Sequence, residues 1–416
     1  MSQLLVTHIG ELVSLAPLAK EQRCTQIVEQ DLGVLSNAWL AIEDGKVLKL
    51  GSGPIPEELQ GYPKLNAGGG LVLPGLVDCH THPIFGGDRS HEFAARLSGK
   101  TYQDIAAEGG GIQSTIRHSR TASDTELDEG CRRNLKRFLE HGVTTVECKS
   151  GYGQSPQEEI RMLRILKKLA EEGPQTLSIT YLGLHAKAYD YQDKTHFIEE
   201  MTAALKTIQA DNLAEWVDAF VERGYFEVED CERFFSEAQR LGFKIRIHAD
   251  EFADSRAAGA AAQWQAYSAD HLEEASVEGI KAMADSGVVA VLLPGTSIYS
   301  KIKFAQAQGF LDQNCAVALA TDFNPGSCQI DNLPLIASLG ALHCGLSCAQ
   351  AIAAVSFVAA KSLGLSECKG ALAPGYDGDF IIHPLQSKEQ WIADFGRHKP
   401  SHVFLNGAPA ISENPS

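Results

Sequence analysis

A short segment of the sequence carries two histidines at a spacing that suits metal ligands. Asp78-Cys79-His80-Thr81-His82 ends an apolar run, and alternate residues of a β-strand point to the same side. His80 and His82 can therefore face one metal ion at the end of a strand. His-x-His pairs also occur as packed core side chains, so this pair alone does not identify a metal site.

Three later segments also place ligand-type side chains after apolar runs. They are His248-Ala249-Asp250-Glu251, Asp270-His271 and Thr321-Asp322. Branched aliphatic side chains fill the interior of a parallel-stranded barrel, so core packing does not explain four such features in one chain. Three imidazoles and one carboxylate would form a site for a single metal ion that leaves a position for water.

Eight strand-like segments alternate with helical patterns in the middle of the chain. They are 75–78, 143–146, 177–182, 216–220, 244–247, 266–269, 288–292 and 316–320, with an amphipathic helix over 158–169. This order predicts an α/β fold, a (β/α)₈ TIM barrel, whose chemistry lies at the C-terminal ends of the strands. A doubly wound sheet also alternates, but its first strand usually leads into a glycine fingerprint rather than histidines.

Hairpin signals near both chain ends indicate a second, smaller unit. Asp44-Gly45 separates two apolar runs near the start, and Asn406-Gly407 follows another near the end. We therefore predict a small β-sandwich domain made of residues 1–70 plus 371–416. Residues 71–370 would form the barrel.

Composition restricts the partners. The chain has 416 residues, 44% of them hydrophobic, and a formal charge of −17, which argues against nucleic-acid binding. The uncharged stretch 332–360 is interrupted by Pro334, Ser338 and His343, so we expect buried helices there and no membrane association. Ten cysteines without a Cys-x-x-Cys pair, and no apolar segment after Met1, predict the cytoplasm. We expect a homodimer, the commonest oligomer.

The order of these features resembles the amidohydrolase superfamily. His-x-His on strand one, histidines on strands five and six and an aspartate on strand eight match its pattern, as does Gly370-Ala371-Leu372-Ala373-Pro374-Gly375 in the tail. Binuclear members carry a lysine at the end of strand four, where this chain has Val221-Glu222-Arg223; Lys149 follows strand two instead. The resemblance therefore implies one metal ion. The His248-x-x-Glu251 spacing is similar to that of the mononuclear deaminase branch.

Finer motifs resemble the imidazolonepropionase family, which opens the ring of 4-imidazolone-5-propanoate to N-formimidoyl-L-glutamate in histidine degradation. The matching segments are Gly86-Gly87-Asp88-Arg89, Gly109-Gly110-Gly111-Ile112, Lys149-Ser150-Gly151-Tyr152-Gly153, Gly183-Leu184-His185-Ala186 and Asp322-Phe323-Asn324-Pro325-Gly326-Ser327. They span most of the barrel in the family's order. The resemblance implies a small-molecule substrate with a carboxylate tail, whose ring carbonyl is attacked by a metal-activated water.

The resemblance also implies roles for the catalytic residues. His80, His82, His248 and Asp322 would hold one divalent or trivalent ion, zinc or iron. Glu251 would act as general base or proton shuttle, unless it is a solvated loop carboxylate, and Asp322 could also accept a proton. His271 would stabilise the oxyanion rather than serve as a fourth histidine ligand.

Other residues are expected to bind the substrate. Arg89 would pair with its carboxylate. The remaining ring and tail contacts would be Tyr152, His185, Glu251, Asn324, Gly326 and Ser327. The turn from Asn324 to Ser327 could also present backbone N–H groups.

Two other functions use the same residues. A mononuclear aminohydrolase that deaminates a nucleobase-like substrate needs the same ligands and Glu251. It has no carboxylate for Arg89 to bind, and it releases ammonia without ring opening. A non-enzymatic barrel with structural or storage metal would not need Glu251 and His271 beside a complete ligand set.

Overall fold

The computed structural model describes residues 2–100, 104 and 108–412. Its strands are β1 Gln3–Leu12, β2 Leu35–Glu43, β3 Lys46–Ser52, β4 Lys64–Asn66, β5 Leu71–Pro74, β6 Leu76–Asp78, β7 Val143–Lys149, β8 Thr176–Leu184, β9 Trp216–Val221, β10 Lys244–Ala249, β11 Ser268–His271, β12 Val289–Leu292, β13 Val317–Leu319, β14 Phe380–His383, β15 His402–Leu405 and β16 Ala408–Ser412.

The α-helices are Ala16–Glu21, Ser90–Leu97, Ile112–Thr121, Asp124–Glu140, Pro156–Glu172, Lys194–Ala210, Val228–Arg240, Ala257–Gln263, Val277–Ser286, Pro294–Ser300, Ala307–Asp312, Leu333–His343, Cys348–Ala354, Phe357–Ser362 and Lys388–Ala393. Short 3₁₀ turns cover Glu29–Leu32 and Glu57–Leu59.

Strands β6 to β13 form the barrel. They lie side by side in sequence order, and each pairs in parallel with the next. The two outer strands close on each other just beyond their ends, where the N–H of His82 donates to the carbonyl of Phe323 at 2.8 Å and the N–H of Asp322 to that of His80 at 3.0 Å. The predicted barrel is confirmed, and its closing hydrogen bonds join two segments that carry predicted ligands.

Helices pack around the barrel through one apolar face each. Pro156–Glu172 contains the helix predicted over 158–169 and buries Met162, Leu163 and Leu166 against the strands. The uncharged stretch forms Leu333–His343, Cys348–Ala354 and Phe357–Ser362, which are largely buried in the same core, as expected. Among the described helices, none has both the length and the apolar character that crossing a membrane requires.

The two chain ends build one further sheet. Its order is β16-β15-β14-β5-β1-β2-β3, with β4 on β1. Side chains from both ends share one core, in which Leu40 and Val72 meet Phe380 and Phe404, and the two phenylalanine rings stack at 4.5 Å. The small β domain formed by both ends is therefore confirmed.

Both predicted hairpin turns are present. Asp44 and Gly45 connect β2 to β3 with φ of 48° and 80°, the left-handed geometry of a tight hairpin. Asn406 and Gly407 do the same between β15 and β16, with φ of 49° and 71°. The two turns meet at Gly378, whose N–H donates to Gly45 and whose carbonyl accepts from Gly407.

Strand β5 links the two sheets. It pairs with β1 and β14 in the small sheet, and Gly75 alone separates it from β6. Val72 points into the core of the small domain and Leu73 into the barrel core. The first barrel strand thus begins at Leu76, directly after a strand that is held by both chain ends.

Candidate active site and metal centre

Four predicted ligand residues meet at the C-terminal mouth of the barrel. His80 and His82 follow β6, His248 ends β10 and Asp322 follows β13, and all four are buried. Oδ1 of Asp322 lies 3.4 Å from Nε2 of both His80 and His82. Nε2 of His82 lies 3.4 Å from Nε2 of His248. Donor atoms of His80, His82 and His248 lie within 4.8 Å of one another, as do those of His80, His271 and Asp322, so the two groups share His80.

Another residue holds the opposite side of His80, His248 and Asp322, whereas Nδ1 of His82 has no hydrogen-bond partner among the described residues. Nδ1 of His80 donates to Asp270 at 2.6 Å, and Nδ1 of His248 to Asp218 at 3.1 Å. The hydroxyl of Thr296 donates to Asp322 at 2.6 Å. A carboxylate on Nδ1 leaves the lone pair of Nε2 turned toward the centre, as in metal-binding histidines.

The protonation states of His82, His248 and Asp322 suit a cation. Burial alone would lower the pKa of His80, but the carboxylates of Asp270 and Asp322 raise it to about 9, so a cation would have to displace a proton from its Nε2. Burial lowers the pKa of His82 to about 4 and also lowers that of His248, so these two imidazoles are neutral. Burial alone would raise the pKa of Asp322, but His80 and His82 hold it well below its ordinary value. Nε2 of His80 is buried without a hydrogen-bond partner among the described residues. These residues fit a metal ion, which would satisfy that nitrogen.

A buried ionic cluster lies beneath the ligands. Nζ of Lys149 lies 3.0 Å from both Glu147 and Asp218, and Nη1 of Arg246 lies 3.2 Å from Glu147. Asp218 in turn orients His248. Lys149 therefore contacts the carboxylate that supports a ligand, consistent with a site for one ion.

The supporting residues were missed in the sequence. Asp270 was visible as the residue before His271 at a strand end but received no role. Asp218 lies inside β9, where a lone aspartate among apolar residues is the only sequence signal for it.

The predicted site residues line one cavity of about 650 Å³. They are His82, Arg89, Tyr152, His185, His248, Glu251, His271, Asp322, Asn324, Gly326 and Ser327. Of the predicted site residues only His80 is not on its wall, because it lies fully buried behind the other ligands. The structure thus brings all predicted site residues together.

Glu251 and His271 face each other across the cavity. Nε2 of His271 lies 3.8 Å from Oε2 of Glu251. Burial raises the pKa of Glu251 well above its ordinary value, and the nearby Glu273 and Asp322 add to this, whereas burial lowers the pKa of His271 well below its own. Glu251 is 7% exposed, which excludes a solvated loop carboxylate. A carboxyl group with a raised pKa and an imidazole with a lowered pKa therefore lie side by side.

A second carboxyl group lies behind His271. Oε2 of Glu273 is 3.8 Å from Nδ1 of His271, and the hydroxyl of Ser297 lies 3.3 Å from the other oxygen of Glu273. Burial raises the pKa of Glu273 to about 8. His271 has a φ of 81°, which is rare for a residue with a side chain and is typical of functional sites. Sequence reasoning missed Glu273.

Arg89 is held by a carboxylate of the chain itself. Its Nε donates to Oε2 of Glu92 at 2.9 Å and its Nη2 lies 2.8 Å from the same oxygen. The other oxygen of Glu92 accepts the N–H of Gly111 at 2.9 Å. Gly326 lies against the guanidinium, and a Cβ there would stand 1.9 Å from Nη1 of Arg89.

The turn after β13 differs from expectation in one respect. Oδ1 of Asn324 accepts the N–H groups of Gly326 and Ser327 at 2.8 and 2.7 Å, and its Nδ2 donates to the carbonyl of Asp322 at 2.7 Å. The expectation that this turn offers backbone N–H groups to a ligand is therefore wrong, because Asn324 already binds them. The turn instead fixes Asp322 and Gly326.

His185 and Tyr152 complete the wall beside His82. The ring of His185 stacks on that of His82 with centroids 5.3 Å apart, and Tyr152 lies 5.9 Å from His82. Nδ1 of His185 donates to the carbonyl of Gly151 at 2.9 Å. Burial lowers the pKa of His185 well below its ordinary value, so its Nε2 is an unprotonated acceptor.

Known proteins are similar to this chain in sequence and in fold. Residues 71–409 match the sequence model of the amidohydrolase family. The chain is 40% identical to an imidazolonepropionase of Kosmotoga olearia and 38% identical to one of Geobacillus kaustophilus, in each case over 99% of both chains. The crystal structure of an adenosine deaminase from Xanthomonas campestris with bound zinc has a TM-score of 0.73 at 15% identity, over 99% of this chain and 93% of that one. The chain therefore belongs to the amidohydrolase family and, within it, to the imidazolonepropionases.

Proposed function

We propose that this protein hydrolyses 4-imidazolone-5-propanoate to N-formimidoyl-L-glutamate in histidine degradation. The observation that carries the proposal is one cavity that contains the histidine and aspartate cluster, the buried Glu251 and the guanidinium of Arg89. The name of the full-length relatives gives the substrate. Adenosine deaminase is similar in fold alone.

We propose that His80, His82, His248 and Asp322 hold the metal ion and that this ion is zinc or iron. The converging donor atoms and the buried Nε2 of His80 support this assignment. When bound, the ion supplies a water molecule whose pKa falls from 15.7 to about 7.

Glu251 carries the proton in this proposal. Water adds to the ring carbonyl, the bond from that carbon to the ring nitrogen breaks, and the nitrogen takes a proton. Glu251, as the carboxylate, would accept this proton from the water and then give it to the nitrogen; burial raises its pKa, which strengthens it as the acceptor in the first step. Asp322, which would hold the same ion, could be a further acceptor. His271 contacts the carbonyl oxygen as charge develops on it.

The substrate would be a small molecule with a carboxylate tail. Arg89 would bind the tail, with Gly326 and Ser327 beside it. Tyr152 and His185 would enclose the ring. Asn324 would hold the turn that carries Gly326 and Ser327, and Glu251 would contact the scissile bond. We also place the protein in the cytoplasm, which its ten free cysteines support.

The test is product analysis by NMR on the metal-loaded protein supplied with imidazolone propionate. We expect one N-formimidoyl-glutamate for each substrate consumed and no free ammonia. Ammonia release with the ring intact would contradict the proposal and favour an aminohydrolase.

The ligand assignment has its own test. His80→Ala, His82→Ala, His248→Ala and Asp322→Ala should each lose bound metal, measured by elemental analysis, together with turnover. A variant that keeps a full metal complement would remove its residue from the ligand set.

A further inference from the structure

We propose that Arg96 is a substrate-binding residue that receives the carboxylate of the ligand together with Arg89. This inference rests on the proposed function, because it names the group that recognises the substrate's tail. It starts from the charges that face the cavity.

Arg89 is not a free cation. Its Nε and Nη2 both lie within 3 Å of one oxygen of Glu92, and Glu92 is buried and anchored to the N–H of Gly111. A carboxylate that arrives beside Arg89 therefore also meets the negative charge of Glu92. The Arg89–Glu92 pair alone attracts an anion weakly.

Arg96 lies one turn beyond Glu92 on the helix Ser90–Leu97 and lines the same cavity. It is half-buried, and none of the described carboxylates lies within 4.0 Å of its guanidinium. The group packs over the rings of Tyr299 and Phe93, with its Cζ 5.1 and 5.7 Å from their centroids. Aromatic packing on a planar guanidinium fixes its orientation before a ligand binds.

Gly326 joins the two arginines. Nη2 of Arg96 donates to the carbonyl of Gly326 at 3.1 Å, and the Cα of the same glycine lies against Nη1 of Arg89. Both guanidiniums thus flank one residue of the cavity wall. The remaining N–H groups of Arg96 can form the paired hydrogen bonds that a carboxylate accepts.

The other cations on the cavity wall suit this role less well. Lys100 pairs with Glu108 at 2.6 Å, and Arg223 and Lys301 are exposed, where water screens their charge. Arg96 is the cavity-lining cation, within the described chain, that is both half-buried and without a carboxylate partner. A charge in that setting attracts an anion more strongly than one in water.

The test uses two non-reacting probes, 3-(imidazol-4-yl)propionate and its carboxamide, which differ only in the charge of the tail. Binding to the metal-loaded protein is measured by calorimetry. Arg96→Met should weaken binding of the acid about ten- to a hundredfold and leave that of the amide unchanged. Arg96→Lys should recover part of the loss. Arg233→Met, an exposed arginine outside the cavity, is the matched control and should change neither affinity.

Two outcomes would overturn the inference. Unchanged affinity of Arg96→Met for the acid would remove Arg96 from the carboxylate site, and an equal loss for acid and amide would give it a structural role only. With imidazolone propionate, Arg96→Met should raise KM by a similar factor and change kcat little. Failure of the proposed function shows separately, because the wild-type protein would then not turn over this compound at all.

Discussion

At the scale of single residues, burial sets the charges that the chemistry needs. Burial in the barrel mouth raises the pKa of Glu251 and lowers that of His271, which favours the uncharged form of each group. We propose that Glu251 moves the proton without binding the metal, so this residue would separate metal binding from turnover.

Glu251→Gln tests this separation. The variant should keep its metal, and its kcat should fall about 10²- to 10⁴-fold, which is the usual contribution of a positioned acid or base. Metal content and turnover are measured on the same sample. Glu171→Gln, on the exposed side of the helix Pro156–Glu172, is the control and should change neither. Normal turnover of Glu251→Gln would exclude Glu251 from the proton path.

Gly326 is required by the position of Arg89. A Cβ at this residue would stand 1.9 Å from Nη1 and 2.5 Å from Cζ of Arg89, so Gly326→Ala displaces the guanidinium. We expect KM to rise about tenfold, near the loss of one charge-assisted hydrogen bond, with a smaller change in kcat. Gly309→Ala, where a Cβ meets nothing within 4 Å, should leave both constants unchanged. An unchanged KM in Gly326→Ala would show that Arg89 does not bind the substrate.

The sequence indicates the proposed ligands better than the residues that support them. His80, His82, His248 and Asp322 each follow an apolar run, so their placement at strand ends is readable locally. The supporting residues are placed by contacts between strands that are distant in sequence. Asp270, which binds His80, is 190 residues away from it, and Asp78 accepts a hydrogen bond from the hydroxyl of Thr321, which is 243 residues away. Local sequence patterns do not predict such long-range contacts.

At the scale of elements, the strand ends carry unusual backbone. Asp250, His271, Leu272 and Asp322 all have positive φ, between 51° and 81°. These residues end or follow β10, β11 and β13, where the chain leaves the sheet, and two of them, His271 and Asp322, line the cavity. Periodicity predicts the strands within three residues, but it does not predict this turn in direction, which depends on tertiary contacts.

Strand β14 contributes a pH-dependent term to stability. His383 is 1% exposed, and burial lowers its pKa to about 4 from 6.5. Between pH 6.5 and pH 4 the histidine is protonated in the unfolded chain but remains neutral in the folded chain. The free energy of unfolding therefore decreases as the pH falls from 6.5 toward 4. The shift corresponds to up to about 3 kcal/mol.

His383→Leu should remove this loss. The free energy of unfolding, measured with denaturant from pH 7 to pH 4.5, should fall less steeply in the variant than in the wild-type protein. His196→Leu, an exposed histidine on the helix Lys194–Ala210, serves as the control and should follow the wild-type curve. If the free energy of unfolding varied with pH in the same way in His383→Leu and in the wild-type protein, the pKa of His383 would not be lowered by folding.

At the scale of the whole molecule, the two chain ends hold the strand that precedes the ligands. β14 pairs with β5, and β5 leads through Gly75 into β6 and His80. We propose the division into residues 1–70 plus 371–416 and residues 71–370 on this basis, with β5 as the shared strand. Hairpin signals predict the small sheet, whereas the pairing of β5 with both ends follows only from the assembled fold.

Removal of everything after Lys369 tests that coupling. The cut deletes β14 to β16 and exposes the edge of β5 and the apolar face of β1 and β2, so we expect aggregation, measured by light scattering. A cut after Ser412 leaves every described strand intact and should stay monodisperse. A monodisperse and fully active product of the Lys369 cut would show that the two ends are independent.

The central claim is that one metal ion, held by His80, His82, His248 and Asp322, is required for hydrolysis of imidazolone propionate. The most direct measurement is turnover after chelation and after reloading with measured equivalents of zinc or iron. We predict that the stripped protein is inactive and that activity returns linearly and saturates at one ion per chain. Full activity in protein shown to be free of metal, or saturation only at two ions, would contradict the account.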